Sequence, residues 1–186
     1  PGQTISNGTV VIKDGLIISA GQNVSIPADA KIIPADSMFV YAGFIDALSN
    51  AGIPRPEVRP TAGGGPGGGG GGQGQRPQGI NPGSPPNDLA GIQPELQARN
   101  LIKAGEKSIE DLRKLGFTNA HVAPMGRMLP GSSALISLGG TSGDNMVLKD
   151  NYAMISQLVG AQGLYPNTVI AVMSKFRELY KQAEQA

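Results

Sequence analysis

Residues 38–53 read MFVYAGFIDALSNAGI, an apolar run with a break of small residues at Ala42-Gly43. Polar Ser49-Asn50 and then Gly52 follow the run. A short apolar run bounded by turn residues is typical of a buried strand, and a strand buried on both faces is typical of a parallel sheet. The stretch therefore predicts a buried parallel strand in an α/β fold.

Length and composition exclude several classes of protein. The chain has 186 residues, a formal net charge of +1, 4% aromatic residues and neither tryptophan nor cysteine. The balanced charge and scarce aromatics argue against nucleic-acid binding and against an acidic membrane surface as partner. The lack of cysteine excludes disulfides and thiolate metal sites. We expect no membrane span, because no apolar run approaches the roughly 20 residues that one needs, and no signal peptide is visible at Pro1.

The N-terminal segment predicts β structure. Residues 9–13 and 16–20 are rich in valine and isoleucine and flank Asp14-Gly15. This pair is typical of a type I′ hairpin turn, which requires positive φ at both central residues. Residues 31–33 predict a shorter third strand. Because an isolated hairpin is only marginally stable, the segment requires further strands or a partner surface.

Residues 93–115 predict two helices, or one helix that bends near Gly105. Pro94 suits a first helical position, Ser108 suits an N-cap, and Gly116 suits the residue that ends a helix. Together with the strands on either side, these helices form a βα repeat and its crossover.

Residues 117–123 predict the second parallel strand. A β-hairpin is expected next, with one strand before Gly139 and the other in residues 146–150. The last element is an amphipathic helix that begins at Pro166 or Asn167. Its predicted apolar face consists of Val169, Val172, Met173, Phe176, Leu179 and Tyr180.

Residues 54–91 form a glycine- and proline-rich tract, in which residues 63–72 are all glycine except Pro66. Such a tract has few side chains to bury and predicts a flexible inserted loop. It follows the C-terminal end of the first parallel strand. The tract is interpreted either as a tolerated insertion, the favoured alternative, or as a lid or docking loop over that end. It does not match a phosphate-binding loop.

Several motifs follow the order found in the amidohydrolase superfamily. Gly43-Phe44-Ile45-Asp46-Ala47 resembles the entry to the first barrel strand of these metal-dependent hydrolases. His121-Val122, the turn at residues 129–136 and the strand at residues 147–150 are similar to imidazolonepropionase-like members, particularly a large exported bacterial subset. The resemblance covers the whole chain apart from the glycine-rich insert.

The resemblance implies an α/β fold with two parts. Residues 1–38 would be the N-terminal part of a small β-sandwich, and residues 39–186 the first βα units of a TIM-type (β/α)8 barrel. A complete barrel needs about 250 residues, so we expect sequence outside this chain to complete it. The expected partner is the remainder of the barrel, as a C-terminal portion or a partner chain, in an oligomer or larger assembly. The exported subset favours a bacterial periplasmic location.

The metal motif of the family is altered in this chain. The resemblance implies His-x-His after Gly-Phe-Ile-Asp-Ala, but the sequence has Leu48-Ser49-Asn50. Leucine cannot ligate a metal, and asparagine is a weak oxygen ligand unsuited to zinc. We therefore predict no metal site and no cofactor in this chain. Zinc or another divalent metal is expected only if the full-length protein is active.

His121 is the single histidine and a candidate ligand or general base, because imidazole titrates near neutral pH. A metal site needs three or four converging ligands, so a hydrogen-bonded structural role is the favoured alternative. Ser132 and Ser133 are poor candidates for a nucleophile, because the Gly-x-Ser-x-Gly frame and its strand-to-helix turn are missing.

Two functions remain open. In the first, which we favour, the protein is a pseudoenzyme that keeps the barrel as a scaffold or binding subunit. In the second, it is an active amidohydrolase that cleaves C–N bonds, commonly in cyclic amides, with a metal-activated water held by ligands from later strands. The sequence does not predict the substrate.

Overall fold

The computed structural model describes residues 4–54, 80–161 and 163–185. The chain divides into two compact units, Pro1–Tyr41 and Ala42–Ala186. Most of the glycine-rich tract, residues 55–79, lies outside the described residues, and its interpretation as a lid or a tolerated insertion stays a prediction. The described remainder of the tract contains a short helix, Asn87–Ala90.

The first unit is built around a β-hairpin of β1 (Thr9–Lys13) and β2 (Leu16–Gly21). Lys13 pairs with Leu16, and Asp14 and Gly15 take φ values of 51° and 78°. The predicted turn with two positive φ angles is therefore confirmed. The predicted third strand at residues 31–33 is wrong: this segment is irregular and exposed. A strand exists only with a hydrogen-bonded neighbour, and no described segment pairs with these residues.

The second unit alternates short strands and helices. Its elements are β3 (Phe44–Ser49), α1 (Asn87–Ala90), α2 (Ala98–Leu101), α3 (Lys107–Lys114), β4 (Phe117–Val122), β5 (Gly131–Ser132), β6 (Ala134–Ser137), α4 (Gly143–Met146), β7 (Val147–Lys149), β8 (Met154–Ile155) and α5 (Val169–Glu184). The class is mixed α/β, as predicted.

The four-stranded sheet of this unit has the order β3-β4-β6-β7. β3 and β4 are parallel, with Ile45 opposite Asn119 and Asp46 opposite Ala120. β4 pairs with β6 and β6 pairs with β7, both antiparallel. The parallel pair with helices in its connection and the hairpin that follows both agree with the sequence predictions. β5 and β8 form a separate antiparallel pair.

The main core lies between α3 and one face of this sheet. Ile109 of α3 is fully buried, as are Val122 of β4 and Ile136 of β6. Arg113, one turn further along α3, donates hydrogen bonds to the carbonyls of Leu138 and Gly140. The helix is thus held by apolar contacts near its start and by a guanidinium near its end. Burial of this kind is worth about 25 cal/mol per Å² of apolar surface.

A second core lies beneath α5. Val172 is fully buried and packs with Ala90, Ile92 and Met128, while Phe176 and Leu179 pack at its margin. The helix begins after Thr168, whose hydroxyl accepts a hydrogen bond from the Ala171 amide at 3.2 Å. The predicted start at Pro166 or Asn167 is therefore too early. Part of the predicted apolar face is also wrong, because three of its members are largely exposed: Val169, Met173 and Tyr180.

The prediction of a buried parallel strand within residues 38–53 is correct for the parallel pairing of β3 with β4 but wrong for its burial and its start. Residues 38–41 are not a strand and are exposed by 72–79%. The strand starts at Phe44, and its apolar side chains Phe44, Ile45 and Leu48 are exposed by 63%, 68% and 50%. The cause is position, because β3 is the last strand of its sheet and β4 is its one neighbour among the described strands.

The helical prediction for residues 93–115 is correct in part. The segment contains α2 and α3, separated by irregular residues around Gly105, and α3 ends before Gly116 as predicted. Pro94 is not helical, and Ser108 is not an N-cap. The Ser108 hydroxyl instead accepts a hydrogen bond from the Gly52 amide at 3.0 Å.

Contacts with distant segments override the local helical preference here. The amide of Gln93 donates to the carbonyl of Leu129, and the amide of Lys103 donates to that of Gly52. Backbone groups used in this way cannot also form the hydrogen bonds of a continuous helix. Among the described residues, no helix is sufficiently long and apolar to span a membrane.

Candidate functional site

The candidate site lies where the two parallel strands end. Leu48 is the next-to-last residue of β3, and half-buried Asn50 directly follows the strand. Pro124 comes shortly after β4 and is buried. Ligand sites in α/β proteins with parallel strands typically form outside the carboxyl ends of those strands.

A cleft of about 440 Å³ opens at this end of the strands. Its wall is built from three separate segments: residues 50–54 after β3, residues 93–103 around α2, and residues 124–130 after β4. The polar lining residues are Asn50, Gln93, Asn100, Lys103 and Arg127. The volume falls in the usual range for small-molecule sites, about 300–1,000 Å³.

The residues at the carboxyl end of β3 do not fit a catalytic metal. Leu48 offers no donor atom, and Asn50 offers one carboxamide oxygen. Zinc in proteins is held by Cys, His, Asp or Glu, usually with at least three protein ligands. Within residues 4–54, 80–161 and 163–185, no group of three such side chains is close enough to hold a metal.

His121 is hydrogen-bonded at both ring nitrogens. Its Nδ1 lies 3.0 Å from the carbonyl oxygen of Ala47 in β3, and its Nε2 lies 2.7 Å from the hydroxyl oxygen of Ser133. Because a carbonyl oxygen only accepts, Nδ1 donates to Ala47. Nε2 and the Ser133 hydroxyl share the second hydrogen bond, and this hydroxyl also lies 3.1 Å from the Ala153 carbonyl oxygen, a further acceptor for its proton. The ring also packs edge-on against Tyr152, with centroids 5.0 Å apart.

The pair of His121 and Ser133 has the connectivity of a base and a nucleophile but lacks access. The Ser133 side chain is buried, and the residue is 1% exposed. Its hydroxyl oxygen also accepts a hydrogen bond from the Ala153 amide at 3.1 Å. A nucleophile must reach a substrate carbonyl, and no approach to this hydroxyl exists in the described structure. The arrangement ties β3, β4 and the start of β6 together, which favours the structural role for His121.

Ser132 is likewise committed to the fold. It lies in β5, so that it is part of a strand rather than of a strand-to-helix turn. Its hydroxyl donates to the side-chain oxygen of Asn151 at 2.8 Å. Neither serine has the geometry of a nucleophile elbow.

Apart from Asn50, the sequence did not identify the polar residues that line the cleft. Lys103 lies in a segment predicted as helical, and Arg127 lies in a turn rich in glycine and proline. The two segments meet through hydrogen bonds between residues far apart in sequence, such as Gln93 to Leu129. No local pattern in the sequence signals such a meeting.

Comparison with known proteins yields one informative similarity. No family model matches the chain, and no curated protein matches it. A solved structure, an amidohydrolase from Thermotoga maritima MSB8, superposes with a TM-score of 0.66 at 18% sequence identity. The match covers 95% of this chain but 43% of that protein. The chain therefore has the fold of part of an amidohydrolase and spans less than half of that protein's length.

Proposed function

We propose that this chain is the N-terminal portion of an amidohydrolase-like barrel that acts as a scaffold or binding subunit. The observation that carries the proposal is the position of Leu48 and Asn50. They stand at the carboxyl end of the first of two parallel strands, in a fold similar to part of an amidohydrolase. The motif Gly-Phe-Ile-Asp-Ala that precedes them resembles the motif that leads into His-x-His in the family.

The proposed barrel requires further strands, and β3 offers the place for one. Its outer edge has no partner among the described strands, and Ile45 and Leu48 are exposed. An exposed apolar edge strand is a template for pairing with another strand. We propose that a later barrel strand, from the same polypeptide or from a partner chain, pairs here. We also propose that residues 1–38 form part of a β-sandwich. The same proposal includes export to a bacterial periplasm.

An active hydrolase is the alternative. It is favoured by the fact that the chain spans 43% of the similar amidohydrolase, because later strands are then available to carry metal ligands. Such an enzyme would have to bind its metal without imidazoles at positions 48 and 50. Catalytic zinc sites use about three protein ligands. Such an enzyme would therefore lack two imidazole ligands that the resemblance implies.

Turnover assays on the full-length protein discriminate the two functions. The substrates are simple cyclic amides such as dihydrouracil and hydantoin, assayed with and without added zinc. The scaffold proposal predicts no turnover above the buffer rate in either condition. Turnover that depends on added zinc and is removed by a chelator would establish the alternative.

A further inference from the structure

Among the described residues, the charged side chains that line the cleft at the ends of β3 and β4 are both positive. They are Lys103 and Arg127, and no described carboxylate lines the cleft. The ion pairs among the described residues use other cations, namely Arg99, Lys114 and Lys175. Glu106 lines a second, adjacent cleft, which shares Asn50 and Ile53 with the first. Two cations at one cleft create a positive potential that favours an anionic ligand.

The position of Arg127 is fixed by the fold. One of its terminal nitrogens donates to the carbonyl of Asp88 in α1 at 2.7 Å. This hydrogen bond uses one of five N–H groups, so the remaining donors are available for a planar carboxylate. The backbone of Lys103 is fixed as well, because its amide donates to the Gly52 carbonyl at 2.8 Å. Its ammonium group lies on a flexible stem and adjusts to the ligand.

Three carboxamides complete the polar lining. The side chains of Asn50, Gln93 and Asn100 make no hydrogen bond with one another or with any other described residue. Each offers two N–H donors and an oxygen acceptor. Asn50 and Gln93 are half-buried and Asn100 is exposed, so their donors and acceptors are free to bind water or a polar ligand that enters the cleft.

The remaining wall of the cleft is apolar. It is formed by Ile53, Pro54, Leu96, Leu101, Pro124, Met125 and Pro130. A ligand that suits both parts has a charged head and an apolar body. Small-molecule sites typically combine an apolar wall with a few polar groups that set orientation.

We propose that this cleft binds a small organic carboxylate, with the carboxylate at Lys103 and Arg127 and the apolar body against the proline- and leucine-lined wall. The proposal rests on the binding function proposed above and names its ligand class. It requires no metal, because the two cations supply the positive charge.

The test compares two ligands of the same shape. Binding of hexanoate and of uncharged hexanamide to the full-length protein is measured by calorimetry or ligand-observed NMR, in the presence of a chelator. We expect hexanoate to bind at least roughly tenfold more tightly, because hydrogen bonds to charged groups are about twice as strong as neutral ones. The preference should shrink as salt is added, because both cations are exposed.

Substitutions locate the site. Lys103→Met and Arg127→Met should each weaken hexanoate binding roughly tenfold and leave hexanamide binding unchanged. Lys107→Met is the matched control, because it removes the same charge from an exposed residue outside the cleft lining. Equal affinity for the two ligands, no binding of hexanoate, or an equal loss in Lys107→Met would overturn the proposal.

Metal analysis of the same samples separates this proposal from the proposed function. Stoichiometric zinc before chelation would contradict the scaffold function and leave the cleft's preference for carboxylates intact. A protein that contains no zinc and does not bind hexanoate would contradict the proposed ligand class and leave the scaffold function in place.

Discussion

At the scale of single residues, the contact of His121 with Ser133 is the most informative side-chain pair. The two residues come from different strands, β4 and the start of β6, and their hydrogen bond is 2.7 Å long. The sequence identified both as candidates but gave no reason to pair them. They are 12 residues apart in the sequence, and this separation alone does not predict a contact. The contact forms because β4 and β6 pair antiparallel, with His121 opposite Leu135.

Ser133→Ala should lower the free energy of unfolding by about 1–3 kcal/mol, the usual cost of leaving buried polar groups unpaired. The change removes the hydrogen-bond partner of His121 Nε2 and the acceptor for the Ala153 amide. Urea unfolding monitored by circular dichroism measures the effect. Ser174→Ala is the control, because Ser174 is exposed on α5 and should change stability by less than about 0.5 kcal/mol. Equal stability of the two variants would show that the hydroxyl network contributes nothing.

Gly131→Ala should destabilise the protein by at least about 2 kcal/mol, a prediction based on backbone strain and overlap. Gly131 has a φ of 118°, and a Cβ atom at this position would lie 2.2 Å from the Leu96 carbonyl oxygen. Thermal or urea unfolding checks the change. Gly105→Ala is the matched control, because no atom lies within 4 Å of the added methyl group. A Gly131→Ala protein as stable as this control would contradict the described approach of the two segments.

At the scale of elements, predictions from the sequence succeeded where the signal is local. The hairpin of the first unit follows from Asp14-Gly15, and the end of α3 follows from Gly116. The helices within residues 93–115 are shorter than predicted. Amide groups of this segment donate instead to distant carbonyls, at Gly52 and Leu129. The exposure of β3 was not predictable either, since it depends on which strand lies at the edge of the sheet.

The contact of α3 with the sheet contributes to the stability of the second unit. Ile109→Ala should cost about 2–5 kcal/mol, since it removes fully buried methyl and methylene groups and leaves a cavity. Leu115→Ala, at the C-terminal end of the same helix, should cost less than about 0.5 kcal/mol because Leu115 is 67% exposed. Unfolding midpoints measured at one fixed protein concentration test the difference. Similar losses in both variants would contradict the packing described for this helix.

At the scale of the whole molecule, the open edge of β3 determines how the chain behaves by itself. We expect the isolated chain of residues 1–186 to self-associate, because an exposed apolar edge strand pairs with other strands. Sedimentation velocity measures the association. Ile45→Lys, which places a charge on this edge, should reduce it, whereas Leu158→Lys, an exposed position outside the sheets, should not. A monomeric chain with a single cooperative unfolding transition would contradict the proposed missing strands.

The sequence alone predicted the proposed relation to amidohydrolases, though not its details. Gly43 to Ala47 suggested a relation to amidohydrolases, and the fold is similar to part of one. The cleft could not be predicted from the sequence, because its lining comes from three segments that only the folded chain brings together. A leucine and an asparagine stand where the resemblance implies two histidines, and this substitution carries the central functional claim.

The metal content of the full-length protein tests this claim most directly. The protein is purified without chelators, dialysed against buffer with excess zinc, freed of unbound metal and measured by inductively coupled plasma mass spectrometry. The account predicts zinc well below one equivalent per chain in the natural protein, and more zinc in the Leu48→His, Asn50→His double variant. A natural protein that retains one or more equivalents of zinc, with no gain in the double variant, would contradict it.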